Sequence, residues 1–182
     1  MEASQIESWA FSRSDAAAIT GVTEAQIGNF VSKYDLFPGR PKGQGFHVSF
    51  RIRELMKLAA AQAMVELGLR PEQAAIALRG IQGPYGAMLH IDANQLGHAP
   101  GTIAFTRNSD GRWIAADSLD KIVSIQIRAW PIFDDLWPRI RAKVLEEGKA
   151  EPAPYPGDVE AGLAAFEAEI AKIRAQRWNT EA

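Results

Sequence analysis

The sequence predicts an α+β fold, with short helices first, a small antiparallel sheet in the middle and C-terminal helices. Three observations carry that expectation. Apolar residues recur at three- and four-residue spacing between Ala16 and Leu78, and again from Phe133 to Val144 and from Val159 to Ile173. Between these stretches, residues 87–92, 102–107, 112–117 and 121–127 alternate apolar and polar, and Asn108-Ser109-Asp110-Gly111 contains an Asp-Gly hairpin signal. The composition, 47% hydrophobic and 23% charged over 182 residues, is that of a globular chain.

In order along the chain, Ser14 is the expected cap of a first helix, because its hydroxyl can accept from a free amide of the first turn. Asp15 then complements the positive end of the helix dipole. Ala16 to Ile19 continue the helix to Thr20-Gly21, where glycine can take the left-handed conformation that ends it. Val22 is expected to fill the angle between two helices. Thr23 caps the second, with Glu24 in the first turn and Gln26 completing a capping box. Ile27, Phe30 and Val31 form its inward stripe, leaving Ala25, Gln26, Asn29, Ser32 and Lys33 outward. Gly28 inside this helix reads as a site of close packing against the first helix, in preference to close approach to a ligand backbone.

Leu36-Phe37-Pro38 is expected to end the second helix, and Gly39 to Gly45 reads as a basic loop with Arg40 and Lys42 at its tip. Phe46 and Val48 then point inward from an extended segment around His47. Ser49 is expected to cap a long helix from Phe50 to Leu67, with Ile52, Leu55, Met56, Ala59, Ala63 and Met64 buried. Gly68 closes it, and Pro71 opens a further helix that buries Ala74, Ala75 and Leu78. Residues 31–57 carry six cations (Lys33, Arg40, Lys42, Arg51, Arg53, Lys57) against Asp35 and Glu54, a local +4 in a chain of net charge −2. Helix, turn, helix, basic hairpin and helix pair, in that order, describe a winged helix-turn-helix. Such a surface suits a phosphate backbone, so double-stranded DNA is the expected partner. Gln26 and Asn29 have the chemistry to pair with adenine, and Lys33 to reach guanine or phosphate.

Thr20-Gly21-Val22-Thr23, the run Phe46–Leu55 and the run Glu66–Leu78 together resemble the DNA-binding domain of MerR-type regulators, over roughly residues 10–79. The resemblance implies a winged helix-turn-helix whose contacts here are Thr23, Ala25, Gln26, Asn29, Ser32, Lys33, Arg40, Lys42, His47 and Arg51. It departs from the family where Ala25 and Gly28 stand in place of arginines early in the recognition helix. Tyr34-Asp35 replace a usual Gly-Leu pair, and His47 follows the wing aromatic where arginine is common.

Beyond Ile81–Gly86, read as a loop, the four alternating segments make a small antiparallel sheet of three or four strands. Pro131 opens a helix to Glu147 with Phe133, Leu136, Trp137, Ile140 and Val144 inward, and Pro138 should kink or restart it. Glu151–Gly157 is an extended Pro-rich linker. From Asp158 to about Trp178, Val159, Leu163, Phe166, Ile170 and Ile173 repeat at heptad spacing, a seam short for a free-standing coiled coil that can fold back on its own domain. The MerR-type resemblance, whose members commonly dimerise through a terminal helix, implies a homodimer instead. The domain reading is therefore 1–80 for DNA binding, 81–150 for effector sensing or dimerisation, and 151–182 for linker and helix.

Several functions are set aside. The chain has no cysteine, hence no disulfide, thiolate ligand or thiol nucleophile. No apolar run reaches the ~20 residues of a membrane span, and Met1–Phe11 lacks the basic start of a signal peptide, so the cytoplasm is expected. His90, Asp92 and His98 could supply three metal ligands, but a strand histidine beside a surface aspartate is the simpler reading. Trp113, Trp130 and Trp137 read as core residues. No cofactor, metal or catalytic group is expected, and no small-molecule effector is identified. The leading expectation is a bacterial or phage transcriptional regulator. The alternatives are a non-regulatory DNA-binding module, excisionase-like or recognising DNA for phage packaging, or a protein-interaction factor with a degenerate helix-turn-helix.

Overall fold

The computed structural model describes residues 1–40, 48–79, 102–115, 124–148 and 157–178. A short first helix, α1 (Ala3–Glu7), stands where no helix was expected. Ile6 is buried in it and Trp9 just beyond its end, and the helix lies against the last helix of the chain. Phe11 then pairs with Phe50 in an isolated antiparallel bridge, each accepting the other's N–H at 2.7 Å.

Helix α2 (Arg13–Thr20) begins before the expected Ser14 and is capped by Ser12 instead. The Asp15 N–H donates to Ser12 Oγ at 3.1 Å and the Ser12 N–H donates to the Asp15 carboxylate at 3.0 Å. A capping box needs an acid or amide three residues beyond the cap. Ser12 has Asp15 there, whereas Ser14 has Ala17, so Ser14 lies within the helix. Gly21 ends α2 at φ 73°, its N–H donating to the Ala17 carbonyl at 2.9 Å. Val22 is buried at the turn as expected, and the Thr23–Gln26 box opens α3 (Glu24–Ser32). Ile27, Phe30 and Val31 face the core. The helix stops well short of Phe37. Asp35 takes a left-handed φ of 52°, and the Leu36 N–H returns to the Phe30 carbonyl at 2.8 Å. This turn sends Leu36 and Phe37 back into the core.

Helix α4 (Ile52–Glu66) starts later than Phe50, and Ser49 is not its cap. The bridge to Phe11 holds Phe50 extended, so the helix begins beyond it. There the Glu54 carboxylate accepts the Arg51 N–H at 2.6 Å. Leu58, Ala60 and Ala61 are buried besides the expected stripe, while Ala59 and Ala63 are only half-buried. Gly68, at φ 95°, turns the chain into α5 (Pro71–Arg79), which buries Ala74, Ala75 and Leu78 as expected. Arg79 reaches back to donate to the Tyr34 and Asp35 carbonyls, fixing the turn after α3.

The sheet contains β1 (Thr102–Arg107), β2 (Trp113–Ala115) and β3 (Ser124–Arg128) in the order β2-β1-β3, both pairings antiparallel. Thr106 opposes Ile114 across one pair and Ser124 across the other. The expected hairpin is present: Gly111 has φ 73°, and the Asn108 side chain accepts the N–H groups of Asp110 and Arg112 at 3.0 and 2.9 Å. The sheet packs on α5 through β2. The alternating segment at 87–92 lies outside the described residues.

Strand β3 runs directly into α6 (Ala129–Gly148), which contains Pro131 in its first turn and continues past Pro138 without restarting. Its buried stripe is Phe133, Leu136, Ile140 and Val144, with Trp137 half-buried. Helix α7 (Val159–Trp178) lies against α1 and α6. Leu163, Phe166 and Ile170 are 1%, 3% and 7% exposed, so the centre of the heptad stripe folds back on its own chain, while Val159 and Ile173 at its ends are half-buried. Apolar burial needs only a neighbouring face, and α1 with α6 supplies it. One hydrophobic cluster thus runs from Ile6 through α2–α5 and the sheet to Ile170. None of the described helices is long and apolar enough to cross a membrane.

Because Leu163 is part of that cluster, Leu163→Ala should destabilise the monomer by about 2–5 kcal/mol, the usual cost of truncating a buried leucine. Chemical denaturation reads this directly. An unchanged midpoint would show that α7 contributes nothing to the core.

Candidate nucleic-acid interface

The outward row of α3 is the centre of the candidate site. Thr23, Ala25, Gln26, Asn29, Ser32 and Lys33 are all exposed, as the helical spacing requires once Ile27, Phe30 and Val31 are inside. Their side chains differ in how far they are already engaged. Gln26 Oε1 accepts the Thr23 N–H at 3.2 Å and the Thr23 hydroxyl at 3.0 Å. Ser32 Oγ donates to the Gly28 carbonyl at 2.7 Å. The Lys33 ammonium lies 5.2 Å from the centre of the Tyr34 ring. Asn29 makes no side-chain hydrogen bond among the described residues, so its amide retains both donor and acceptor for a partner.

Gly28 does not serve close helix packing. A Cβ built there meets only Arg13 Nη1, at 3.9 Å, an ordinary contact. The tight fit expected from the sequence is replaced by an open face crossed by a guanidinium from α2. Arg13 was not among the residues expected at the site. A cap at Ser14 leaves it outside the helix, whereas a cap at Ser12 makes it the first residue of α2.

Arg40 stands elsewhere than at a loop tip. Its guanidinium lies 4.7 Å from the Phe37 ring centre and 5.1 Å from that of Phe50, with Nη2 3.2 Å from Glu54 Oε1. Two aromatic faces and a carboxylate draw the side chain inward, which the loop's composition does not disclose. Glu54, only 9% exposed, also receives Arg53 Nε at 3.1 Å. Arg51 is exposed at the start of α4. Burial lowers the Lys57 pKa below its usual 10.5, with Glu54 opposing the shift. Lys42 and His47, with the rest of 41–47, lie outside the described residues.

The site is braced from behind by charge. Lys143 on α6 lies 3.1 Å from Asp15, 3.3 Å from Glu146 and 3.6 Å from Glu147. Glu147 accepts the Trp9 indole N–H at 2.6 Å. The Asp15 bond raises the Lys143 pKa above 10.5. Burial pushes the Asp15 carboxyl up, but hydrogen bonds from Ser12 and Lys143 outweigh it and leave its pKa below the usual 3.8.

The expected core tryptophans divide. Trp113 is buried, whereas Trp130 and Trp137 are half-buried on α6 beside α7. Trp137 stacks on Phe133 at 5.4 Å and donates to Glu167 at 2.9 Å, and Arg174 lies 4.4 Å from the Trp130 ring centre while pairing with Asp134. The cleft lined by Phe133, Asp134, Trp137, Glu167, Ile170 and Arg174 measures about 210 Å³, below the ~300–1,000 Å³ usual for small-molecule sites. Among the described residues no group of three or more His, Asp or Glu could hold a metal ion. His90, Asp92 and His98 lie outside those residues. No protein-family model matches the chain, and no curated protein matches it.

Two predictions follow from this geometry. A carboxyl with a lowered folded pKa contributes stability that is complete above its unfolded value and fades as pH falls through the folded one. Wild type should therefore exceed Asp15→Asn in urea midpoint at neutral pH, and the difference should shrink as pH is lowered below the usual carboxyl value of 3.8. A difference that persists there would assign the effect to packing. At Gly28, where space is open and φ is not left-handed, Gly28→Ala should raise stability by about 0.5–1 kcal/mol. A loss instead would reveal a close contact at this position.

Proposed function

We propose that this chain is a sequence-specific double-stranded DNA-binding protein whose α2-turn-α3 unit is a helix-turn-helix with α3 as the recognition helix. In this reading it is a cytoplasmic transcriptional regulator of MerR-like type. The observation that carries the proposal is the exposed polar row of α3, with Asn29 uncommitted at its centre, on a helix whose other face is anchored by Ile27, Phe30 and Val31. A helix of this width enters the major groove, where an asparagine amide can pair bidentately with adenine. The resemblance of residues 10–79 to MerR-type domains supports the same reading. A two-fold site would call for two copies, and they would meet on a surface other than the covered α7 stripe.

The contrast between Asn29 and Gln26 makes this specific. Asn29→Ala should relax preference at one or two base pairs, worth about 1–3 kcal/mol of discrimination, without changing stability. Gln26→Ala should instead cost about 0.3–1.5 kcal/mol of stability, because its carbonyl oxygen completes a cap. Sites selected from a random duplex library, compared between wild type and variants, provide the readout. A wild-type protein that enriches no sequence would refute sequence-specific binding.

A further inference from the structure

Resting on the reading of α3 as a DNA-contacting helix, we propose that Arg13 is a phosphate-binding residue of that surface, supplied from α2 across the space left open by Gly28. The fixed charges on α3 and its cap are Glu24 and Lys33, which cancel, so α3 alone offers DNA no net attraction. Glu24 and Gly28 lie one turn apart on the same side of the helix. Arg13 Nη1 comes within 3.9 Å of the Cβ position at Gly28, which places a positive charge on that side and turns the balance to +1.

The guanidinium is also unspoken for. Among the described residues Arg40 and Arg53 are paired with Glu54, Arg79 with Asp35, Arg139 with Asp135, Arg141 with Glu167 and Arg174 with Asp134. Arg13, like Arg70, Arg112 and Arg128, has no ion pair or side-chain hydrogen bond among those residues and is exposed; what sets it apart is its place against α3 at Gly28. An arginine that neither packs nor pairs, lying across the face of a neighbouring helix, keeps all its donors for an external acceptor. A phosphate fits its planar fork. The position agrees with the geometry of helix-turn-helix complexes, in which the first helix crosses the DNA backbone while the second enters the groove. Gly28 contributes by having no side chain: a long residue there would occupy the path of the guanidinium.

The test uses the full chain with two duplexes of equal length, one selected by the wild-type protein and one unrelated. Arg13→Ala should weaken binding to both by a similar factor and lower the slope of log affinity against log salt by about 0.9, the release associated with one phosphate contact. Arg13→Lys retains the charge and should restore the slope. Circular dichroism and thermal midpoint should match wild type in both variants, since the side chain supports no other part of the protein. If wild type binds and Arg13→Ala matches it in affinity and slope, the assignment of Arg13 is overturned while the reading of α3 stands. If Arg13→Ala alters preference at one base pair and leaves the slope unchanged, the residue reads a base and the phosphate assignment is overturned. If wild type binds neither duplex, both readings are overturned.

Discussion

The pairing of Phe11 with Phe50 sets the geometry of the N-terminal half. Two reciprocal backbone hydrogen bonds join positions far apart in the chain, and both rings are fully buried. Each partner is held extended, so helix can resume only on its far side. Ser12 and Arg51, the next residues in each segment, are the two helix caps. The same bridge therefore fixes where α2 and α4 begin and how they approach each other. It also presents the Phe50 ring on which the Arg40 guanidinium rests. Replacing either phenylalanine would disturb a helix start as well as a packing contact.

Charge then sorts the arginines and lysines into two groups. Glu54 engages Arg40 and Arg53 at the start of α4, and Asp15 engages Lys143 between α2 and α6. The sequence shows only a basic cluster with two acids in it. The fold decides which cations the acids reach. Arg40 becomes part of the internal framework, and Arg13, in a segment of no special basicity, is left exposed.

Much of the architecture was legible because local chemistry determines it. Gly21 and Gly68 turn the chain where left-handed backbone is needed, Thr23 and Gln26 cap each other, and Asp110-Gly111 closes a hairpin. The outward row of α3 follows from three inward residues at helical spacing. What sequence could not disclose depends on tertiary neighbours. Helix α1, of five residues, is too short to show a period and is held by Ile6 and by Trp9 bonded to Glu147. The cap at Ser12, by contrast, was legible in its spacing to Asp15, which Ser14 lacks toward Ala17, and the Phe11–Phe50 bridge reinforces it. Arg40 looks solvated until Phe37, Phe50 and Glu54 converge on it.

The stripe on α7 illustrates the same limit in a form that bears on assembly. Heptad spacing specifies that one face of a helix will be buried, and it carries no information about which molecule supplies the opposing face. Here Leu163, Phe166 and Ile170 meet α1 and α6 of their own chain. Met1 also lies close over Gly162, where an added Cβ would fall 2.9 Å from its side chain. The N-terminal helix and the C-terminal helix are therefore mutually dependent, with Trp9 and Glu147 adding a polar tie between α1 and α6. Because Asp15 links α2 to that same end of α6, the orientation of the α2–α3 pair rests on elements from the opposite end of the chain. A displacement of α6 would thus reach the α2–α3 pair through the Lys143–Asp15 contact and the packing of α6 on α2 and α4, with no change required in α3 itself.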